Sequence, residues 1–122
     1  MLKFSPLSKT WLIDIDGTIV KHNGYLLDGH DTLLNGVKEF FTKLSKDDKV
    51  ILLTAREEKY LEKLKAFLKE NSIRYDYLLP DMPAGERILI NDKKNSGLKT
   101  AFAINKDRDA SFDIKYKINE DL

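Results

Sequence analysis

The feature that most constrains this chain is an alternation of short, nearly continuous apolar runs with segments whose apolar residues recur at helical spacing. Leu12 to Ile15 forms the first run and Val50-Ile51-Leu52-Leu53 the second. Tyr75 to Leu79 is the third, Ile88-Leu89-Ile90 the fourth, and Ala101 to Ile104 a weaker fifth. Between the first two, Leu33, Leu34, Val37, Phe40, Phe41 and Leu44 fall on one helical stripe, with Asn35-Gly36 as its start. Tyr60, Leu61, Leu64, Phe67 and Leu68 make a second stripe, and Lys59, Lys63, Lys65 and Lys69 beside it read as a solvated helix face. Such runs fit strands covered on both sides, and strand-helix-strand units cross over right-handed. The expectation is an α/β, three-layer, Rossmann-like fold whose mostly parallel sheet of about five strands lies between helices.

A chain of 122 residues with 42% hydrophobic content suits one domain with one core, spanning 1–122. No repeat, linker or low-complexity tract divides it. Lysine and arginine total 21 against 20 aspartates and glutamates, so net charge gives no reason to expect nucleic acid or an anionic membrane as partner. Recognition of a phosphate must then be local. The absence of cysteine excludes disulfides and thiolate metal sites and fits a reducing cytoplasm. The opening MLKFSPLSK has no long apolar core of a signal peptide, and no stretch approaches the roughly eighteen apolar residues of a membrane span. A cytoplasmic protein is expected.

In open parallel sheets, ligands bind outside the carboxyl ends of the strands. Here the polar residues collect at those ends: Asp14-Ile15-Asp16 after the first run, Thr54-Ala55-Arg56 after the second, Pro80-Asp81 after the third and Asn91-Asp92-Lys93-Lys94 after the fourth. Asp14 and Asp16 project to one side of an extended strand, about two rises of roughly 3.3 Å apart. Carboxylates so close repel, and they call for a cation between them, a proton on one of them, or both. A hard divalent ion with oxygen ligands, most simply Mg²⁺, would meet the first need, with Asp92 as a further ligand. Gly17 would allow a sharp turn, and Thr18 with its neighbours could offer hydroxyl and amide donors to an anion. A plain strand-closing turn would account for Asp16, but not for a charge at Asp14 behind Trp11-Leu12-Ile13.

The string DIDGT, with Asp14, Asp16 and Thr18, resembles the first motif of the haloacid dehalogenase-like (HAD) phosphohydrolases, Asp-x-Asp-x-Thr. Thr54, ending an apolar strand, is similar to their second motif. Asp92 behind Ile88-Leu89-Ile90-Asn91 is a thinner version of their fourth, which often carries two acids. The resemblance runs from about residue 11 to residue 105. It implies that Asp14 attacks phosphorus and that Asp16 acts first as acid, then as base. It further implies that Thr54 orients the phosphoryl group, and that Asp14, the Asp16 carbonyl and Asp92 hold Mg²⁺. Gly17, Thr18, Ala55, Arg56 and Lys93 would then surround the substrate.

The family's third motif supplies a lysine or arginine ahead of the fourth strand, yet Tyr75 to Glu86 contains neither. In the short phosphatase-like members that ILINDKKNSG and TAFAIN resemble, a lysine stands at the place of Lys94, which is therefore assigned this duty. Arg87 stands at the opening of the fourth run, away from its carboxyl end. No cap domain interrupts the chain. Val20 to Leu26 reads as a β-hairpin with a two-residue Asn-Gly turn, a small flap over about 18–28 with His22, Tyr25 and His30 as candidate substrate contacts. Arg56 is expected either to grip phosphate or sugar oxygens or to pair with a rim acid. In the tail, about 106–122, Phe112, Ile114, Tyr116 and Ile118 alternate with polar residues as in a strand, which would join the sheet edge or pack across a second subunit in a homo-oligomer. The resemblance implies a Mg²⁺-dependent phosphatase of a small sugar phosphate, linked to polysaccharide or nucleotide-sugar pathways. The alternatives are a phosphatase of nucleotides or nucleic-acid ends, and a catalytically idle relative that binds phosphate or a partner.

Overall fold

The computed structural model describes all residues from Met1 to Leu122. Its elements in chain order are β1 (Leu2–Phe4), β2 (Thr10–Asp14), α1 (Gly24–Leu27), α2 (Val37–Lys43), β3 (Lys49–Leu53), α3 (Leu61–Glu70), β4 (Tyr77–Leu79) and β5 (Tyr116–Ile118). The fold is α/β with parallel strands. A three-stranded sheet has the order β2-β3-β4, and a separate two-stranded sheet pairs β1 with β5.

Each expected helical stripe contains a helix that faces the core, but Leu33 and Leu34 lie ahead of α2, Leu33 bridging to Val20, Leu44 is already extended, and Tyr60 precedes α3. Gly36 enters α2 with φ +88, and a Cβ there would collide with the carbonyl oxygen of Phe112. Only glycine meets both demands. Val37, Phe40 and Phe41 are buried from α2, and Leu61, Leu64 and Leu68 from α3. Lys59, Lys63, Lys65 and Lys69 lie exposed. A single cluster of 15 buried residues forms the core.

The register puts Trp11, Val50, Ile13, Leu52 and Leu78 on one sheet face, and the core takes up all five. The other face carries Leu12, Ile51, Leu53, Tyr77 and Leu79, none of which joins the core; Leu12 is 50% exposed. The helices therefore cover one face of the sheet, and the three-layer expectation is corrected to two layers. Five strands are present, but they fall in sheets of three and two and not in one sheet. Ile88-Leu89-Ile90 and Ala101 to Ile104 are not strands, and Ile88 and Ile90 are 83% and 91% exposed. An apolar run becomes a strand only where a neighbour completes its ladder, and here the β2 edge that would receive one is open.

The tail supplies a strand, but a short one, and it pairs with β1 rather than with the three-stranded sheet: Leu2, Lys3 and Phe4 oppose Tyr116, Lys117 and Ile118. Aromatic rings join the two sheets. Trp11 meets Tyr116 and Phe40 at 5.3 Å between centroids, and Phe40 meets Phe112 at 4.8 Å. Buried Asp48 accepts from the Trp11 indole and the Lys9 amide, both at 2.9 Å, which satisfies both of its oxygens.

Candidate functional site

The parallel register brings the carboxyl ends of β2, β3 and β4 level, with Asp14 opposite Leu53 and Leu53 opposite Leu79. The ladder continues one step further, from the Ile15 amide to Leu53 and from the Thr54 amide to Leu79. Because side chains alternate, Ile13 and Ile15 anchor the strand end in the core while Asp14 and Asp16 face away from it. Gly17, at φ +82, turns the chain, and the amides of Thr18, Ile19 and Val20 all donate to the Ile15 carbonyl. This tight turn carries the Thr18 hydroxyl to Asp14, to which it donates at 2.8 Å.

The two aspartates occupy different surroundings. Asp14, about one third exposed, accepts from Thr18 on one oxygen and from Arg87 at 2.6 Å on the other. Asp16 accepts from the Thr54 hydroxyl at 2.7 Å and from Arg56 Nε at 2.8 Å. Thr54 has no exposed surface, and its hydroxyl oxygen also accepts from the Arg56 amide at 3.1 Å.

Arg56 is 5% exposed and fully engaged. Its two terminal nitrogens donate to the two oxygens of Asp31 at 3.0 and 2.6 Å, and the Tyr25 ring lies over the guanidinium with its centroid 3.7 Å from Cζ. Burial opposes the charge of Arg56, but the hydrogen bonds and charges of Asp31 and Asp16 outweigh it and hold its pKa above the ordinary arginine value. Burial likewise raises the Tyr25 hydroxyl pKa, with Arg56 pulling it down. Of the two roles expected for Arg56, pairing with rim acids is the one realised. In this arrangement it is a clamp, with Nε and both terminal nitrogens each donating to a carboxylate.

The segment from residue 18 to 28 is not a hairpin. Asn23 does take the left-handed conformation that favours Asn-Gly turns, at φ +55, but the amides of Leu27 and Asp28 then bond back to Asn23 and Gly24 as the short helix α1. Antiparallel pairing occurs farther out, from Lys21 to Thr32 and Leu34 to Ile19, and encloses a broad excursion. Tyr25 rides on this excursion, while His30 is exposed and His22 partly buried.

The end of β4 reaches the rim through its backbone, the Asp81 and Met82 amides donating to the carbonyls of Arg56 and Thr54. The fourth expected contributor does not arrive. Asp92, Lys93 and Lys94 are exposed, and none of their side chains bonds to Asp14, Asp16 or Thr54. Their segment is closed on itself by bonds from Thr100 to the Asp92 carbonyl and between Lys94 and Leu98. Ala55 is exposed beside the clamp. The cation on Asp14 is Arg87, whose long side chain reaches back to the rim from its place at the opening of the fourth run. Asp31 gave no signal in the sequence, since nothing in Gly29-His30-Asp31-Thr32 distinguishes it from a turn.

Oxygen donors suitable for Mg²⁺ are present in part. The Asp14 carboxylate and the Asp16 carbonyl, which receives no hydrogen bond, stand together at the strand end. Asp92 is not with them, and no group of three or more histidines, aspartates or glutamates forms a cluster able to hold a metal. No helix is long and apolar enough to cross a membrane. The chain matches no family model, and no curated protein or solved structure resembles it significantly.

Proposed function

We propose that this chain is a Mg²⁺-dependent phosphomonoesterase of the capless HAD type, acting on a small phosphorylated metabolite such as a sugar phosphate. The observation that carries the reading is the unequal treatment of two neighbouring carboxylates. Asp14 is accessible at the strand end with a cation beside it, and Asp16 is held by Thr54 and Arg56. Separate environments for two acids are what a nucleophile and its proton shuttle require.

In the reaction, an Asp14 oxygen attacks phosphorus, the ester P–O bond breaks, and the departing oxygen takes a proton from Asp16. Water then attacks the aspartyl-phosphate, returns a proton to Asp16 and releases phosphate, restoring Asp14. To reach the leaving oxygen, Asp16 must turn away from Arg56. Asp31 makes that turn tolerable, because its two bonds alone keep the guanidinium paired. Asp14 and the Asp16 carbonyl would hold Mg²⁺, which commonly takes only one or two protein carboxylates and fills its remaining positions with water and phosphate oxygens. When bound, the ion supplies charge neutralisation between carboxylate and phosphate. Arg87, already at Asp14, is the cation best placed to meet the phosphate, in preference to Lys94.

In a Rossmann-like sheet of about five strands, Ile88–Ile90 would pair with the open edge of β2, which presents the backbone groups of Thr10, Leu12 and Asp14, and would bring Asp92 to Asp14. The exposure of Ile88 and Ile90 supports this, since solvent gives them no reason to be apolar. Cytoplasmic residence and self-association are part of the same reading.

A second reading, an idle phosphate- or partner-binding relative, is favoured by one observation: Arg87 pairs directly with Asp14, the carboxylate that would have to attack. Release of phosphate from p-nitrophenyl phosphate and a sugar-phosphate panel, with and without Mg²⁺, separates the two. Turnover that needs Mg²⁺ and falls to background in Asp14→Asn is expected. Equal traces in both proteins would favour the idle relative.

A further inference from the structure

We propose that Lys106 and Arg108 form a second anion site beside Asp14, one that selects phosphomonoesters carrying a further carboxylate or phosphate group. The identity of the first group rests on the phosphatase reading; the second site rests on its own geometry.

The turn holding these two residues is fastened to the loop after β2. The Asp109 amide donates to the Gly17 carbonyl at 2.9 Å, and an Asp109 carboxylate oxygen accepts from the His22 amide at 2.7 Å. Arg108 lies directly on Gly17: a Cβ there would stand 3.0 Å from Arg108 Cγ, so the missing side chain is what admits the arginine. Gly17 is flanked by Asp16 and by Thr18, whose hydroxyl touches Asp14. An anion held by this turn and a phosphate at Asp14 are therefore within reach of one small molecule.

What marks the pair as a binding site is the charge left over. Arg56 is matched by Asp16 and Asp31, and Arg87 by Asp14. Neither Lys106 nor Arg108 has a carboxylate within ion-pair distance; Lys106 donates only to the carbonyls of Gly17 and Asp107, at 3.4 and 3.1 Å, and the Arg108 guanidinium makes no hydrogen bond within the protein. Partial burial lowers the Lys106 pKa, against the opposite pull of Asp109 and Asp107. An ammonium already stripped of some water gains more from an arriving anion than a fully hydrated one. The same loop carries the one buried side-chain polar atom without a partner, Nδ1 of His22. Buried polar groups are nearly always satisfied, so an orphan beside two unmatched cations is a further sign of a place prepared for a ligand.

Two matched pairs of compounds test this: 3-phosphoglycerate against glycerol 1-phosphate for a carboxylate, and fructose 1,6-bisphosphate against fructose 6-phosphate for a second phosphate. Affinities are measured by calorimetry without added Mg²⁺, the condition in which the phosphatase reading expects no turnover, so that binding is not mixed with hydrolysis. The doubly anionic member of at least one pair should bind about tenfold tighter or more, as expected for charge-assisted hydrogen bonds. In Lys106→Met/Arg108→Gln, which keeps the aliphatic cover on Gly17, the ratio should fall below about twofold, and Arg108→Lys should restore part of it. Circular dichroism checks that the variants are folded. No preference in either pair, or a preference that survives the double substitution, overturns the site. Absence of turnover with the preference intact would instead remove the phosphatase reading and leave the anion site standing.

Discussion

The end of β2 and the stretch from Arg87 to Asp92 each set an acid behind an apolar run, and the folded chain places them in opposite environments. Ile13 and Ile15 are buried on either side of Asp14, which is backed by a strand ladder and a tight turn. Ile88 and Ile90 lie in solvent, and Asp92 has only its own loop for company. The residue types are alike, so the difference lies in the partners. At β2 the neighbouring strand, the core and the buried Arg56 clamp all agree on one geometry, whereas nothing outside its own loop fixes the geometry at Asp92. An acid becomes part of a site when several elements, distant in sequence, each remove one of its freedoms.

The comparison breaks most severely at the clamp. Arg56→Met leaves Asp31 and Asp16 facing each other largely out of water, with side chains 5% and 16% exposed. Removing one member of a buried ion pair costs about 3–5 kcal/mol. Arg87→Met removes an arginine of similar reach from a half-open pair, for which the loss should stay below about 1 kcal/mol. Urea unfolding of the two variants reads both numbers. Equal losses would mean that the clamp does not organise the rim.

A second contrast uses apolar residues. Leu52 is fully buried, and Leu52→Ala should cost about 2–5 kcal/mol through lost burial and the cavity left behind. Ile90→Ala should lie within about 0.5 kcal/mol of the parent. Repeating the Ile90 measurement with Mg²⁺ and phosphate sharpens the comparison: a cost that appears only with the ligands present is what a fourth strand completed at the open edge of β2 would produce. A large cost without ligands would contradict the solvent-exposed placement of Ile88–Ile90.

These contrasts also explain what could be read from the sequence. Helices α2 and α3 were legible because their stripes repeat over several turns and leave one geometry for burial. Strands β2, β3 and β4 were legible as apolar runs, and alternation correctly turned Asp14 and Asp16 to the same side. Thr54 follows from its place at the end of β3. The weaker readings depended on partners that a local pattern does not carry. Nothing in Ile88-Leu89-Ile90 says whether a neighbouring strand will accept it. Asn23-Gly24 supplies the left-handed residue of a turn, but whether the chain then pairs across or coils into a helix depends on later residues, here Leu27 and Asp28. Asp31, Arg87, Lys106 and Arg108 come to the rim through tertiary contacts alone. A long arginine side chain in particular can act far from where its own backbone lies.

The smallest expected effect concerns the same excursion that carries Asp31. Near its base, Lys21 donates to Asp28 at 2.8 Å in a solvent-exposed pair. That hydrogen bond, aided by the Lys21 charge, holds the Asp28 carboxyl below its ordinary pKa of 3.8, and the same bond raises Lys21 above 10.5. The sign of the linkage follows. A depressed acid stabilises the fold above its unfolded pKa and loses that contribution as pH falls through the folded value; a raised lysine loses its contribution as pH rises through its own folded value. The pair is therefore fully effective at neutral pH and fades in strong acid, below the ordinary carboxyl range. Carbon NMR titration of Asp28 should give a midpoint below that of an unpaired aspartate, returning upward in Lys21→Met and also, with Lys21 intact, at high salt. Urea stability of Lys21→Met should barely change, because water competes for both partners throughout. A loss as large as that of Arg56→Met would mean that the excursion is held at its base and not by Asp31, and the buried clamp would no longer account for the order of the rim.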